Sequence, residues 1–381
     1  METAGKPKLT VWEAACIVTG YGIGGGVMAM PYLAARNGIA VSLLILAAAY
    51  CFSLLMHMMV ADLSLRAGSG QIIVIFERFL FRGKFKRALT VIFFVMIALV
   101  LLTTLATYIT GSGEIISTYL KTSPLWGRLI FYAAAASVVL FGLKAVGISE
   151  KIAVAMIFVL IAVFAIASFF NIKNPFPLTA GRWKDALGYF GMAMYSFVAF
   201  FSVPQAVEGL GGEVKKIRKA LVIGFLNIFI IILMITLCSL LSSAEITPLA
   251  MIGWSAGIGR WAQIAGAMFT LLAMVTTYWS ISLALADIIK EQTKLGRVTS
   301  WLLATLPTLL LTFVGHGGFL EFVRLAGGLN AILIAIMLIP TFLGANREGP
   351  TRLMGKFAAL PVLIIVVLSY ILMAIGSTIQ L

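Results

Sequence analysis

The sequence is 381 residues long, 61% hydrophobic and 11% charged, and carries a formal net charge of +14. Soluble globular proteins contain roughly 45–50% apolar and about 25% charged residues, so this chain has too few charges for a soluble surface. The charges stand in short clusters between long apolar runs, which indicates a membrane protein. Because the basic residues occupy these clusters, no folded basic domain remains to bind nucleic acid.

Apolar runs long enough to cross a bilayer recur along the whole chain. A hydrocarbon core of about 30 Å requires about 20 helical residues. On this criterion we predict an all-α, polytopic membrane protein with eleven transmembrane helices. The predicted spans are 10–35, 39–65, 88–112, 127–145, 148–170, 185–207, 219–243, 259–287, 298–315, 319–343 and 357–379.

The stretch 127–170 is too long for one helix, so the sequence predicts a turn inside it. The residues that indicate this turn are two glycines and several charged or polar residues: Gly142, Lys144, Gly147, Ser149, Glu150 and Lys151.

Basic residues are divided unevenly between the two sides of the predicted membrane. Of the 28 Lys and Arg residues, 20 fall on the side of the N-terminus and 8 on the other. The positive-inside rule therefore predicts a cytoplasmic N-terminus in the plasma (inner) membrane and, with an odd span count, a C-terminus outside. No loop is long enough to fold alone, so residues 1–381 are predicted to form a single transmembrane domain.

The first predicted span holds five glycines within seven residues, from Gly20 to Gly26, and Pro31 follows five positions later. Glycine costs about 1 kcal/mol and proline about 3 kcal/mol in a helix interior, which favours a break. Unwound backbone at membrane depth is tolerated only where it is buried in protein or lines a cavity, and its N–H groups can then bind a carboxylate and its carbonyls a cation. The alternative is close helix packing through Gly20/Gly24 and Gly22/Gly26, both GxxxG pairs, but packing usually needs only one such pair.

The sixth predicted span is irregular in the same way. It combines glycines and many aromatic residues with Ser196 at mid-span and Pro204 near its cytoplasmic end. Interrupted segments at corresponding positions of two halves point to a transporter binding site. Since spans one and six are five apart, we predict a 5+5 inverted repeat, 10–170 and 185–343, plus an extra helix at 357–379.

Three motifs carry a family resemblance. Residues Ile23–Pro31 resemble the first-span signature of the amino acid/auxin permease superfamily (APC superfamily), especially its bacterial hydroxy and aromatic amino-acid permeases. Ser202–Pro204 followed by Gly211–Leu221 resembles the end of the sixth span and the basic loop after it, and Thr276–Asp287 is similar to the eighth span. The resemblance implies a LeuT-type fold that imports an amino acid with a cation. Bacterial members often carry a histidine four residues before the sixth-span proline, where this chain has Phe200.

The expected substrate site lies between the two broken spans and span three. Tyr108 shares a helical face with Thr103, Thr104 and Thr107; its alternative role is that of an interfacial residue. The candidate substrate-binding residues are Tyr21, Gly22, Ile23, Gly24, Gly25, Gly26, Tyr108, Tyr195, Ser196, Phe197 and Phe200.

An ion site in this fold is expected to join first-span carbonyls to eighth-span hydroxyls. The candidates are the carbonyls of Tyr21, Gly22 and Gly25 and the hydroxyls of Thr276, Thr277 and Ser280. The alternative for such hydroxyls is a bond to a carbonyl one turn earlier on their own helix.

Proton coupling would instead need a titratable group at depth. Glu208 is the best-placed acid, and its alternative role is to latch the cytoplasmic gate by pairing with a nearby Lys or Arg. His57 is expected to be a packed, hydrogen-bonded histidine. Sodium and proton coupling both stay open, and no cofactor or other metal is expected.

We therefore expect a secondary active transporter that carries a neutral amino acid, aromatic or hydroxylated, together with Na⁺ or H⁺ by alternating access. The alternative is a channel or facilitator for a small solute without ion coupling, although no filter motif or charge ring is present. An enzyme is not expected, because two histidines and no paired mid-span carboxylates offer no catalytic constellation. The expected partners are the amino acid and the lipid bilayer.

Overall fold

The computed structural model describes residues 8–179, 181–314 and 337–379, and the regular elements in these ranges are all helical, which confirms the all-α prediction. The α-helices are α1 (Val11–Gly22), α2 (Gly25–Asn37), α3 (Ile39–Arg66), α4 (Ile72–Phe79), α5 (Lys86–Leu120), α6 (Pro124–Leu140), α7 (Leu143–Phe170), α8 (Trp183–Ser196), α9 (Ser202–Gly209), α10 (Val214–Ser242), α11 (Ala250–Ile258), α12 (Arg260–Thr293), α13 (Arg297–Val314), α14 (Met337–Asn346) and α15 (Leu360–Ser377).

Six of these helices are long and apolar enough to cross a membrane alone, namely α3, α5, α7, α10, α12 and α15. The helices α1 and α2 meet the same criterion only when taken together, as a pair bent by 59°. Lipid offers no hydrogen-bond partners to a backbone, and a helix forms all of these bonds within itself, so such helices can cross the bilayer. With several of them, the chain is a multi-pass membrane protein. The total of eleven spans stays a prediction, because most of the predicted span 319–343 lies outside the described residues.

The turn between α6 and α7 lies earlier than the gap at residues 146–147 between the predicted spans 127–145 and 148–170. It consists of Phe141 and Gly142, and Gly142 has a φ of +79°, a conformation that glycine adopts at little cost. Lys144 and Glu150 therefore lie inside α7, and the prediction that they mark the turn was wrong. Lys144 lies in the first turn of α7, and its Nζ pairs with a carboxylate oxygen of Glu13 on α1, 2.7 Å away.

Two helices were not predicted, because each is far shorter than a membrane span. Helix α4 lies in the predicted loop after α3, and the backbone N–H of Gln71 before it donates to Glu291 of α12 (3.2 Å). Helix α11 lies in the predicted loop after α10, and its buried Trp254 donates to Ser168 of α7 (2.8 Å). Both are thus held by side chains of the long helices.

The broken pairs α1/α2 and α8/α9 lie in the interior of the bundle. Helix α1 packs against α7, α10 and α12, and α2 packs against α8. Helices α5, α7 and α13 expose large apolar side chains, such as Leu99, Val159 and Leu310, as expected for lipid contact. We call the end of the bundle that holds Lys8 the N-terminal face, and the other end the opposite face.

Candidate functional site

The first break lies at Ile23 and Gly24, between α1 and α2. Gly24 has extended backbone angles (φ −95°, ψ −161°) and is the N-cap residue of α2. Its lack of a side chain means that no side-chain cap covers the N-terminus of α2; the hydroxyl of Tyr108 on α5 instead bonds to the backbone of Gly25. The positive end of the α2 dipole therefore faces the interior of the protein.

The glycines of the break provide clearance for neighbouring side chains. A Cβ atom at Gly22 would lie 2.5 Å from Ile228, and one at Gly26 would lie 2.7 Å from both Ser196 and Tyr195. None of the break glycines has a positive φ angle. The break and the close packing, which the sequence presented as alternatives, therefore occur together.

Pro31 lies inside α2 and does not end it. The expectation that this proline contributes to the break was wrong, because the backbone departs from helix before Gly25, more than one turn earlier.

The second break spans Phe197 to Phe201, between α8 and α9. Here His57 of α3 is buried, with Nδ1 2.6 Å from the carbonyl oxygen of Ser53 and Nε2 accepting from the backbone N–H of Ala199 at 2.9 Å. This arrangement requires the neutral ring with its proton on Nδ1. His57 is thus packed and hydrogen bonded as expected, but its partner lies in the second break, which no sequence spacing indicates.

Most of the predicted substrate residues surround one small pocket between the two breaks. Its volume is about 20 Å³, roughly the space for a single water molecule, so this pocket is closed. The predicted residues that line it are Tyr21, Gly22, Gly24, Gly26, Tyr108, Tyr195 and Ser196.

The remaining predicted substrate residues lie elsewhere. The ring of Phe197 stacks on Phe225 with centroids 6.2 Å apart, and the ring of Phe200 contacts Phe201 at 4.5 Å. Ile23 is buried and does not line the pocket. These aromatic rings pack the second break, as single phenylalanines in a core commonly do.

A much larger cavity of about 490 Å³ leads from the first break toward the opposite face. Gly24 and Gly25 form its inner end, and the C-terminal half of α5, α11 and the N-terminal half of α12 form its walls. Exposed side chains such as Tyr119 and Ile252 stand at its outer end. The first break is therefore reached from the opposite face.

One ion pair and two backbone hydrogen bonds close the N-terminal face. Lys8 Nζ lies 2.7 Å from Oε1 of Glu208, and the backbone N–H groups of Lys8 and Leu9 both donate to the carbonyl oxygen of Gly209 at 2.8 Å. These contacts tie the start of α1 to the end of α9. The pairing of Glu208 with a basic residue is thus present, and its partner is Lys8.

Two of the three predicted ion-site hydroxyls reach α1. Oγ1 of Thr277 lies 3.0 Å from the carbonyl oxygen of Gly20, and Oγ of Ser280 lies 3.2 Å from that of Ile17. Thr276 instead bonds to a carbonyl of its own helix at 3.0 Å. Thr277 Oγ1 is also 3.0 Å from the carbonyl oxygen of Ala273 on its own helix, and Ser280 Oγ is also 2.7 Å from Oε1 of Glu150. Each of these two hydroxyl hydrogens therefore has two acceptors within reach, one of which lies on α1.

The carbonyls that meet α12 lie earlier on α1 than the sequence suggested. The predicted set was Tyr21, Gly22 and Gly25, whereas the observed partners are Ile17 and Gly20. The register between two helices depends on their packing, which spacing within one helix does not reveal.

Sequence reasoning also missed a buried carboxylate. Glu150 of α7 is 0% exposed, and its Oε1 accepts a hydrogen bond from Ser280 at 2.7 Å. Its Oε2 is buried and, within the described ranges, has no hydrogen-bond partner. The sequence could have indicated this residue, because an acid about two turns inside an apolar run is unusual. It was missed because Glu150 was assigned to the turn between two spans.

Among the described residues, two broken helix pairs surround a closed pocket and a larger cavity leads from the first break to the opposite face, an arrangement typical of membrane transporters. The chain is similar in fold to many solved structures, among them Mhp1 and MhsT. Mhp1, a nucleobase-cation-symport-1 family transporter in a closed conformation with bromovinylhydantoin bound, is 14% identical, with a TM-score of 0.73 over 98% of this chain and 91% of that one. MhsT in complex with L-phenylalanine is 16% identical, with a TM-score of 0.67 over 97% of this chain and 99% of that one.

At these identities the likeness establishes the LeuT-type fold alone. No curated protein matches the sequence significantly. Residues 8–377, however, match the tryptophan/tyrosine permease family, and the chain belongs to that family. It is a transporter and not an enzyme.

Proposed function

We propose that this transporter carries a neutral, preferably aromatic, amino acid together with a cation. The observation that carries the proposal is the N-terminus of α2, whose N-cap residue Gly24 has no side-chain cap and, with Gly25, forms the inner end of the 490 Å³ cavity. The family to which the chain belongs is named for tryptophan and tyrosine, and MhsT binds L-phenylalanine. Membership of the wider APC superfamily stays a prediction.

The backbone of the first break suits the charged groups of an amino acid. The N-terminus of α2 offers N–H groups and a positive dipole end to the carboxylate, with the Tyr108 hydroxyl beside them. The C-termini of α1 and α8 present carbonyl groups and negative dipole ends to the ammonium group. Because the backbone would bind the carboxylate and the ammonium group, the residues that line the cavity would determine which substrate side chain is accepted.

The cavity suits a large apolar side chain. Its volume falls within the range of about 300–1,000 Å³ that is common for small-molecule sites. Met28, Ile115, Met251 and Ile252 contribute apolar surface, whereas the acidic group on its wall is Glu114. An aromatic ring would bury its area here, and a second charged group on the substrate would find few partners.

The conformation of the protein fits one stage of alternating access. The cavity leads to the opposite face, while Lys8 and Glu208 close the N-terminal face. The distribution of basic residues favours a cytoplasmic N-terminus in the plasma membrane. In that orientation the opposite face is the outer side of the cell, so the cavity is open to the outside and transport is uptake. Closure of the cavity and release of the Lys8–Glu208 pair would complete the cycle.

Uptake into proteoliposomes tests the proposal. Radiolabelled tryptophan, tyrosine and phenylalanine are compared with serine, threonine, glutamate and lysine, under an imposed Na⁺ gradient, an imposed H⁺ gradient or neither. We expect saturable uptake of the aromatic amino acids, with accumulation only under one of the gradients and its collapse when an ionophore is added. Flux of the same size without any gradient, at channel-like rates, would instead support the uncoupled facilitator.

A further inference from the structure

The carboxyl group of Glu150 is buried among α1, α7 and α12. Its Oε1 accepts a hydrogen bond from Ser280 of α12, whereas its Oε2 has no hydrogen-bond partner among the described residues. A Cβ atom at Gly20 would overlap Oε2, so this oxygen packs directly against the α1 backbone. Gly20 thus provides the space that the carboxyl group occupies.

No cation compensates this carboxylate in the part of the chain that the structure describes. Lys144 and Lys151 of α7 both lie near the other acid of this region, Glu13, with Nζ–O distances of 2.7 Å and 3.6 Å. A carboxylate that is buried without a cation is very unfavourable, and protonation removes the cost. Glu150 is therefore expected to be neutral in this conformation.

Other titratable or charged groups lie on the elements that pack against α7. None of them pairs with Glu150 within the described ranges. They are Glu13, Cys16 and Tyr21 on α1, Arg128 and Tyr132 on α6, Lys144 and Lys151 on α7 itself, Glu208 on α9, Lys215, Lys216, Arg218, Lys219 and Cys238 on α10, and Arg260, Tyr278, Asp287, Lys290 and Glu291 on α12.

The same contacts favour a proton over a metal cation at this position. The carbonyls of Ile17 and Gly20 are each within hydrogen-bond distance of a hydroxyl of α12, and Oε2 of Glu150 packs against Gly20 without an intervening gap. A sodium ion needs several oxygen atoms around an open centre, whereas a proton needs only the free oxygen of the carboxyl group.

We propose that Glu150 binds the coupling proton and releases it at the N-terminal face when α1 moves away. This inference rests on the proposed function, and it assigns the cation as H⁺. Glu150 lies about two turns from the start of α7, behind the Lys8–Glu208 pair. Opening of that face gives the carboxyl group access to water, where it loses its proton. The emptied transporter then returns with Glu150 ionised, and Glu150 takes up the next proton from the side of the opposite face, so each cycle moves one proton with the substrate.

The test compares wild-type protein with Glu150→Gln, which mimics the protonated carboxyl group, in proteoliposomes. Two quantities are measured: accumulation driven by an inside-alkaline H⁺ gradient, and gradient-free exchange of labelled for unlabelled amino acid. We expect Glu150→Gln to lose accumulation and retain exchange. The matched control is Glu77→Gln, whose side chain is 40% exposed and pairs with Lys86 at 3.6 Å; it should accumulate substrate like wild type.

The possible failures are distinct. Wild-type accumulation driven by Na⁺ and not by H⁺ would overturn the role of Glu150 while leaving cation-coupled transport intact. H⁺-driven accumulation by Glu150→Gln at the wild-type level would overturn it as well. A wild-type protein that transports none of the amino acids would overturn the proposed function and this inference with it.

A second measurement covers the case in which Glu150→Gln does not fold. Hydrophobic carbodiimides modify protonated carboxyl groups in apolar surroundings, so wild-type protein is treated with one and digested for mass spectrometry. We expect inhibition of uptake with the label on Glu150. Uptake that resists the reagent, or inhibition with the label on a different residue, would overturn the proposal.

Discussion

The glycines of the first break differ in their surroundings, since some provide room for packing and another lines the cavity proposed for the substrate. Gly22 and Gly26 make room for side chains of α10 and α8, so they serve the close contact of helices. Gly25 lines the 490 Å³ cavity, so a side chain added there would enter the space proposed for the substrate. Neighbouring glycines should therefore respond differently to substitution.

Gly25→Leu is expected to abolish amino-acid binding with little effect on the folded state. The added side chain occupies the inner end of the cavity at the α2 N-terminus, where the substrate carboxylate is proposed to bind. Binding is measured as the upward shift in melting temperature that a saturating ligand produces. The matched control is Gly296→Leu, since a Cβ atom at Gly296 meets no neighbour within 4 Å. Retained binding in Gly25→Leu would show that the substrate binds elsewhere.

At the scale of elements, the broken helices are stabilised by neighbouring helices. The second break exposes the Ala199 N–H, and His57 of α3 accepts its hydrogen bond. The first break is supported by Tyr108 of α5, and the start of α1 is held by Glu208 of α9. Each break thus depends on a side chain from a continuous helix, which fixes the unwound backbone in one conformation.

His57→Leu is expected to lower the free energy of unfolding. The leucine fills the space but cannot accept from Ala199, and a buried donor left without a partner costs about 1–3 kcal/mol. The measurement is thermal unfolding of the purified protein in detergent. His57→Gln, which keeps an acceptor at similar reach, should lose less stability; equal losses in the two variants would show that the hydrogen bond is unimportant.

Glu208→Gln is expected to open the N-terminal face more often. A partly exposed ion pair contributes about 0.2–1 kcal/mol, so the open population should rise by up to about fivefold. Cys16, buried on α1 behind this pair, reports opening through its rate of labelling by a maleimide, in a background where Cys51 and Cys238 are serine.

The charge-exchanged protein with Lys8→Glu and Glu208→Lys is the control for this variant. It restores an attractive pair and should return Cys16 labelling to the wild-type rate. Unchanged labelling in Glu208→Gln would mean that the backbone bonds to Gly209 suffice to hold this face closed.

At the scale of the whole molecule, the sequence predicted what depends on local composition. Long apolar runs predicted the helices, and clustered glycines predicted the break at Ile23–Gly24. Features that depend on contacts between distant segments were not predictable in this way. The charge of Lys144 suggested a turn because its partner Glu13 lies 131 positions earlier, and Glu150 was assigned to the turn with it. Likewise, the directions of Phe197 and Phe200 follow from packing around the second break.

A structure of the protein with a bound aromatic amino acid tests the central claim most directly. The account predicts that the substrate carboxylate lies within hydrogen-bond distance of the Gly24–Gly26 backbone, with the ring among the apolar residues of the cavity or of an expanded pocket between the breaks. An amino acid held only at the outer end of the cavity, near Gln263 and without contact to the first break, would contradict it.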